Sequence, residues 1–305
     1  MKLGENMEKQ MEKFLYYERI GLGKSEKTVE SYRCDLIQFI SYLKEYEGIE
    51  DFNGISRRSF RSFMAYMNKN GISKRSINRK ISAIRVFLKY LLKHKVIDTD
   101  YSLYINSPKF EKNVPIILSK EEVNMIRGVI DLTKFNGIRD RAIIELLYSS
   151  GMRAQELLDI NYNLINFDER EIRIIGKGEK ERITFFSNSA KEWLLKYLSE
   201  KKRLFPNNDD TSFFLNAKGG SITDRSLRRN ISEYAKKAGI EKDVSPHTFR
   251  HSFASYLLNE GVDIRYLQEL LGHSSITTTQ IYTHVGKKFL KEVYLKTHPF
   301  ANEEK

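Results

Sequence analysis

The sequence predicts a mainly α-helical protein with a small β-sheet confined to its second half, folded as two domains. Three observations lead there. Apolar residues recur at helical spacing through most of the 305 residues. Two short apolar or alternating runs, 171–175 and 182–186, flank Gly176-Lys177-Gly178 and read as a β-hairpin with its tip at the glycines. Between the halves, Asn106-Ser107-Pro108 and Val114-Pro115 break the helical period within a polar stretch.

The elements follow in order. Phe14, Leu15 and Tyr17 open an amphipathic segment that ends near Gly21-Leu22-Gly23. A second helix covers 25–46, with Val29, Tyr32, Leu36, Phe39, Ile40 and Leu43 on one face and Gly48 after it. A third spans 57–68 and stops at Asn70-Gly71, a turn pair. A fourth starts at Ser73 and carries Ile77, Ile81, Ile84, Phe87, Leu88, Leu91 and Leu92. This makes residues 1–107 an all-helical domain and 108–118 a linker. Ser119 and Glu122 have the capping-box spacing and open the next domain, 119–286. Its helices are expected at 139–150, 153–159, 189–202, 226–238, 246–261, 264–271 and 275–284, around the hairpin. Residues 287–305 form a last helix and tail.

Composition narrows the function. With 40% hydrophobic residues the chain is built to fold. A net charge of +12 and a pI near 9.4 suggest a polyanionic partner, nucleic acid or an anionic membrane, with a merely solvated basic surface as the plainer alternative. No run approaches the apolar length of about 20 residues that spans a bilayer, and the charged N-terminus lacks the apolar core of a signal peptide. Cys34 is the single cysteine, which rules out a disulfide framework and a cysteine-based metal site. Together these favour the cytoplasm, and Cys34 reads as a small packing residue. From Arg57 to Lys95 there are twelve Lys or Arg and no Asp or Glu. Like charges at helical spacing repel, so such a face costs stability unless an anion sits against it. DNA phosphates are the natural candidate, with Lys74, Arg75, Arg79 and Lys80 the densest group.

Several side chains of the second domain can carry chemistry. Ser245 and Pro246 suit the N-cap and first position of a helix, and place His247 and Arg250 on one face of its first turn, where free N–H groups attract anions. Gly272 ends a helix in the left-handed conformation and holds His273 in the corner before the next. Tyr282 lies nine residues further on, after a run of β-branched residues that form helix poorly. Arg153 follows the helix stop at Gly151, and Glu156 can orient its guanidinium. Lys177 stands at the hairpin tip. Each alone has a plainer explanation: a core histidine, a core tyrosine, a turn lysine.

Taken together, Arg153, Lys177, His247, Arg250, His273 and Tyr282 resemble the catalytic signature of the tyrosine site-specific recombinases, the family of phage-type integrases and bacterial Xer recombinases. The stretches from His247 to Ser255 and from Leu270 to Val285 look closest to the Xer branch, and the resemblance extends over essentially the whole chain. It implies a DNA-binding helical domain followed by an α+β catalytic domain. It makes Tyr282 a nucleophile forming a 3′-phosphotyrosyl bond, with Arg153 and Arg250 clamping the phosphate. His273 would donate a further hydrogen bond, His247 would take the tyrosine proton, and Lys177 would protonate the leaving oxygen. It implies no metal, no ATP and no other cofactor. It also implies a C-terminal helix that docks into a neighbouring protomer, giving a homo-tetramer, or a heterotetramer with a related recombinase, on two DNA duplexes. Chromosome dimer resolution is the expected role, with a septal DNA translocase as regulator. Mobile-element integration, a type IB-like topoisomerase and a DNA-binding protein without catalysis are the rival readings.

Overall fold

The computed structural model describes residues 7–104, 115–175, 181–207, 212–272 and 284–298. The chain divides into two compact units, Met1–Asn113 and Val114–Lys305.

The first unit is helical. α1 (Met7–Tyr16) runs on into a single π turn, Tyr17–Gly21, and is followed by α2 (Glu26–Glu47), α3 (Arg57–Lys69) and α4 (Lys74–Lys93). Serines start the later helices: the hydroxyls of Ser25, Ser56 and Ser73 each accept an N–H from the first turn. Each such cap contributes about 1 kcal/mol. The periodic apolar residues form one core, in which Phe14, Leu36, Phe39, Phe63, Ile77, Phe87 and Leu91 are buried. Cys34 departs from expectation. It is exposed, its Sγ 3.7 Å from Glu30 Oε1, because the inward face of α2 runs through Val29, Leu36, Phe39, Ile40 and Leu43.

The basic stretch of this unit has an acidic partner that lies outside it in sequence. Asp35 of α2 is fully buried, and it accepts hydrogen bonds from Arg79 and, at 3.0 Å, from the Lys80 ammonium. Lys80 is only 13% exposed and Arg79 is 50% exposed, so the two are not alike as surface cations. Lys74 and Arg75 stand exposed in the first turn of α4.

The second unit is built on α6 (Phe135–Ser150), which is buried nearly all round, as a central helix must be. α8 (Asn188–Leu204) and α10 (Pro246–Asn259) pack against it, and α5 (Lys120–Gly128), α7 (Ala154–Leu158), α9 (Asp224–Lys237) and α11 (Ile264–Leu271) complete the shell. Ser119 and Glu122 make the expected box: Ser119 N–H donates to Glu122 Oε2 at 2.8 Å, and Glu122 N–H to Ser119 Oγ at 3.2 Å. The sheet has three antiparallel strands in the order β1 (Ile165–Asn166), β2 (Glu171–Ile175), β3 (Glu181–Phe185). β1 is two residues long, too short for a periodic signal. In β2 and β3 the pairs Glu171–Phe185, Ile172–Thr184 and Ile174–Arg182 are buried on both strands. An arginine therefore points inward from a strand, and its partners define the site described below.

The last helix, α12 (His284–Thr297), lies on its own unit. Leu290 and Tyr294 are buried with Phe185, Phe253, Leu257, Leu270 and Leu271. His298 is buried too, its ring 5.2 Å from that of Tyr294 and 5.4 Å from that of Phe253. Leu290 and Tyr294 are thus satisfied within one chain, while Phe289 of the same helix is 44% exposed.

Replacing Asp35 with alanine leaves the largely buried Lys80 ammonium without its carboxylate. Asp35→Ala is expected to cost about 3 kcal/mol, the lower end for breaking a buried pair because Arg79 can turn to water. Urea unfolding followed by helical circular dichroism measures it, and a loss within the range of an ordinary surface pair, below about 1 kcal/mol, would refute the assignment.

Candidate active site

Two helix ends meet at the site. α6 ends at Gly151 and α11 at Gly272, both left-handed with φ of +61° and +65°. An added Cβ would lie 2.4 Å from Phe253 Cδ1 at Gly151, and 2.8 Å from Arg182 Cδ at Gly272. Both corners therefore need glycine for conformation and for space.

The last carbonyls of a helix have no partners within it and form the negative end of its dipole. At α11 three guanidiniums supply them. Arg182 Nε donates to Leu270 O at 3.1 Å, Arg250 Nη2 to Leu271 O at 2.7 Å, and Arg153 Nη2 to Gly272 O at 3.0 Å. They arrive from three elements: Arg153 immediately precedes α7, Arg182 lies on β3 and Arg250 on α10. Arg250 Nη1 also donates to Gly151 O at 2.8 Å, tying the end of α6 to that of α11.

One carboxylate sits among them. Glu156 Oε1 accepts from Arg153 Nη1 at 2.7 Å and from Arg182 Nη1 at 2.8 Å. Its Oε2 accepts from the Arg153 backbone N–H at 2.7 Å and from Arg182 Nη2 at 2.7 Å. Burial alone would raise this carboxyl; the hydrogen bonds and charge of Arg182, then those of Arg153, outweigh it and bring it down to about 2. Glu156 thus stays ionised, and among the described residues three guanidiniums against one carboxylate leave an excess of positive charge. Burial lowers Arg250 to about 10, helped by the charge of Arg153 and opposed by Glu156, so it remains a cation at neutral pH. Arg153 is 39% exposed, and donors not used on carbonyls or on Glu156 can receive an anion.

His247 lies at the solvent-facing rim, in the first turn of α10. The start of that helix is fixed as expected, with Pro246 in its first turn and Ser245 N–H donating to Thr248 Oγ1 at 3.0 Å. Partial burial, then the charges of Arg228, His251 and Arg250, hold the imidazole below its usual range. A neutral imidazole can accept a proton. Of the six residues singled out from the sequence, the structure gathers Arg153 and Arg250 on adjacent carbonyls and puts His247 on the same helix as Arg250. Lys177, His273 and Tyr282 lie outside the described residues, as does the helix expected at 275–284 except for its last residue, His284, which begins α12. His273 directly follows Gly272 in the chain, and Lys177 belongs to the connection between β2 and β3.

Sequence reasoning read 182–186 as a strand and passed over Arg182. Its signal was weak but present: an arginine two residues from Thr184, on the same side of a short strand that also carries Ile183 and Phe185.

Comparison with known proteins shows which family the chain resembles. Residues 117–288 match the family described as Phage integrase family, and residues 11–95 match the Phage integrase N-terminal SAM-like domain. The Tyrosine recombinase XerD of Oceanobacillus iheyensis is 37% identical, over 97% of this chain and 100% of its own length. The Tyrosine recombinase XerC of Anoxybacillus flavithermus is 38% identical, likewise over 97% and 100%. The fold is similar to that in the crystal structure of a lambda integrase tetramer bound to a Holliday junction. There the TM-score is 0.70 and the identity 14%, over 100% of this chain and 80% of that one.

The depressed Glu156 carboxyl makes a pH prediction. Its folded-state pKa lies below its ordinary 4.5, so it stabilises the unit above that pH and the contribution is lost as pH falls from 4.5 towards about 2. Glu156→Gln is expected to remove this acid-dependent component from a plot of unfolding free energy against pH, and to lower stability at neutral pH. An unchanged acid limb would show that Glu156 is not the group held by Arg153 and Arg182.

Proposed function

The chain belongs to the phage integrase family as a tyrosine recombinase of the Xer type, and from that premise we propose that it breaks and rejoins DNA at a specific site through a 3′-phosphotyrosyl link on Tyr282. The observation that supports this best is the convergence of Arg153 and Arg250 on the carbonyls of Leu271 and Gly272, one residue before His273.

The chemistry is a transesterification. The Tyr282 oxygen attacks the scissile phosphorus, its proton passes to His247, and the bond to the 5′-oxygen breaks as Lys177 supplies a proton to that oxygen. One phosphoester bond forms as another is lost, so the reverse attack by the 5′-hydroxyl rejoins the strand without ATP. Negative charge rises on the non-bridging oxygens in the transition state. Arg153 and Arg250 meet it with forked donors already held in place by helix-end carbonyls and Glu156, and His273 adds another. Such preorganised donors stabilise the transition state most where water is excluded.

In the first unit, Lys74 and Arg75 are proposed to contact the DNA backbone, with Arg79 and Lys80 contributing through whatever freedom Asp35 leaves them. The lambda integrase tetramer of the same fold supports assembly of this chain as a tetramer on two duplexes. Docking of α12 into a neighbouring protomer would require Leu290 and Tyr294 to leave the core they fill within their own unit. Relatives named XerD and XerC support chromosome dimer resolution as the role; a cytoplasmic location, a related recombinase and a septal DNA translocase as partners complete the proposal. Among the described residues no helix is long and apolar enough to cross a membrane.

Sequencing the DNA that stays covalently attached to the protein in cells tests the reading and maps its site. Adducts are expected at one or a few genomic positions with the parent chain and none with Tyr282→Phe, which should still bind DNA. Adducts that survive in Tyr282→Phe would sink the assignment. Site-independent relaxation of any supercoiled plasmid would point to a topoisomerase instead. Arg250→Lys keeps the charge and loses the fork, so cleavage is expected to fall by roughly 100- to 1000-fold, the effect of one lost oxyanion donor. Near-parental cleavage would contradict the clamp.

A further inference from the structure

Arg182 is the most constrained cation of the site. Its side chain is 8% exposed, and its fork spans both oxygens of Glu156 at 2.8 and 2.7 Å. Its Nε donates to Leu270 O at 3.1 Å. Its Cδ fills the space that a Cβ at Gly272 would occupy, 2.8 Å away. One buried residue thus holds the carboxylate that orients Arg153, and the last turn of α11 from which the chain proceeds to His273 and Tyr282.

We propose that Arg182 is a positioning residue for strand cleavage, acting through Glu156 on Arg153 and through the end of α11 on the segment that follows Gly272. It does so without touching the DNA. The inference rests on the reading of the site given above. The physical case has two parts. Geometry comes first: Glu156 accepts four hydrogen bonds, two from Arg153 and two from Arg182, so removing Arg182 frees the carboxylate to swing with Arg153. A displacement of about 1 Å at a group that meets the reacting phosphate can cost on the order of a hundredfold in rate. Charge comes second. While Arg182 shares Glu156, the carboxylate does not cancel the Arg153 cation, which keeps its pull on an incoming phosphate. Lysine cannot replace this arginine, because one ammonium cannot span both carboxylate oxygens and reach Leu270 O from a second nitrogen.

The test uses the full chain and a nicked duplex carrying the mapped adduct site, with single-turnover cleavage and DNA affinity measured for the parent, Arg182→Lys, Arg182→Gln, Glu156→Gln and the double variant Arg182→Gln/Glu156→Gln. Adduct formation by the parent establishes the underlying reading, so its failure is seen separately. Expected results are DNA affinity within about threefold of parent and cleavage down roughly tenfold in Arg182→Lys and roughly a hundredfold in Arg182→Gln. The double variant should lose no more than the worse single one, because residues acting through one another are not additive. Cleavage by Arg182→Lys should also gain an acid limb at higher pH than the parent, as the carboxyl is held less tightly. Parental cleavage in Arg182→Lys, or multiplicative losses in the double variant, would overturn the proposal. If Arg182→Gln does not fold, Arg182→Lys with its pH profile decides alone.

Discussion

The open end of one short helix organises this site. α11 ends at Gly272 with three successive carbonyls, Leu270, Leu271 and Gly272, and each takes a guanidinium from a different part of the second unit. The arrangement ties together the start of α7, strand β3 and helix α10, elements far apart in sequence. It also solves an electrostatic problem. Three arginines packed together repel, and Arg250 is lowered towards 10 in consequence of its burial and of its neighbours. The dipole of α11 and the single carboxylate of Glu156 offset enough of that repulsion to keep the cluster folded, yet not so much that it is neutral.

That balance explains why a positive cluster is retained at a cost. Buried ion pairs contribute little net stability compared with apolar packing, because desolvation takes back most of the attraction. A core of leucines could close the same space without that penalty. Under the proposed function, an incompletely neutralised cluster at a corner formed by two glycines would instead hold donors ready for a phosphate, with their orientation settled before DNA arrives. The same logic runs in the opposite direction in the first unit, where Asp35 engages Arg79 and Lys80 and leaves Lys74 and Arg75 exposed.

Much of this could be read from residues in order, and the rest could not, for physical reasons. Periodicity located most of the helices because burial is one-sided along them, α6 being the one buried nearly all round, and Gly151, Gly272 and Ser119 marked helix ends through backbone chemistry that acts within four residues. Arg153, Glu156 and the pair His247 and Arg250 were legible for the same reason: their relations are local. Cross-chain partners were not. The face from Arg57 to Lys95 holds no acid in sequence, but Asp35 reaches it from another helix. Arg182 lies 26 residues from Glu156 and 88 from Leu270, a separation that no spacing rule spans. Cys34 was misplaced because a small residue fits either face of a helix, and α2 turns it to water.

A structure of the chain on its own nicked DNA site, with vanadate in place of the scissile phosphate, tests the central claim most directly. The account predicts vanadium bound to the Tyr282 oxygen, with Arg153 and Arg250 each within hydrogen-bonding distance of a vanadate oxygen while still donating to Gly272 and Leu271. A vanadate contacted by neither guanidinium, or guanidiniums that abandon the α11 carbonyls to reach it, would contradict the account.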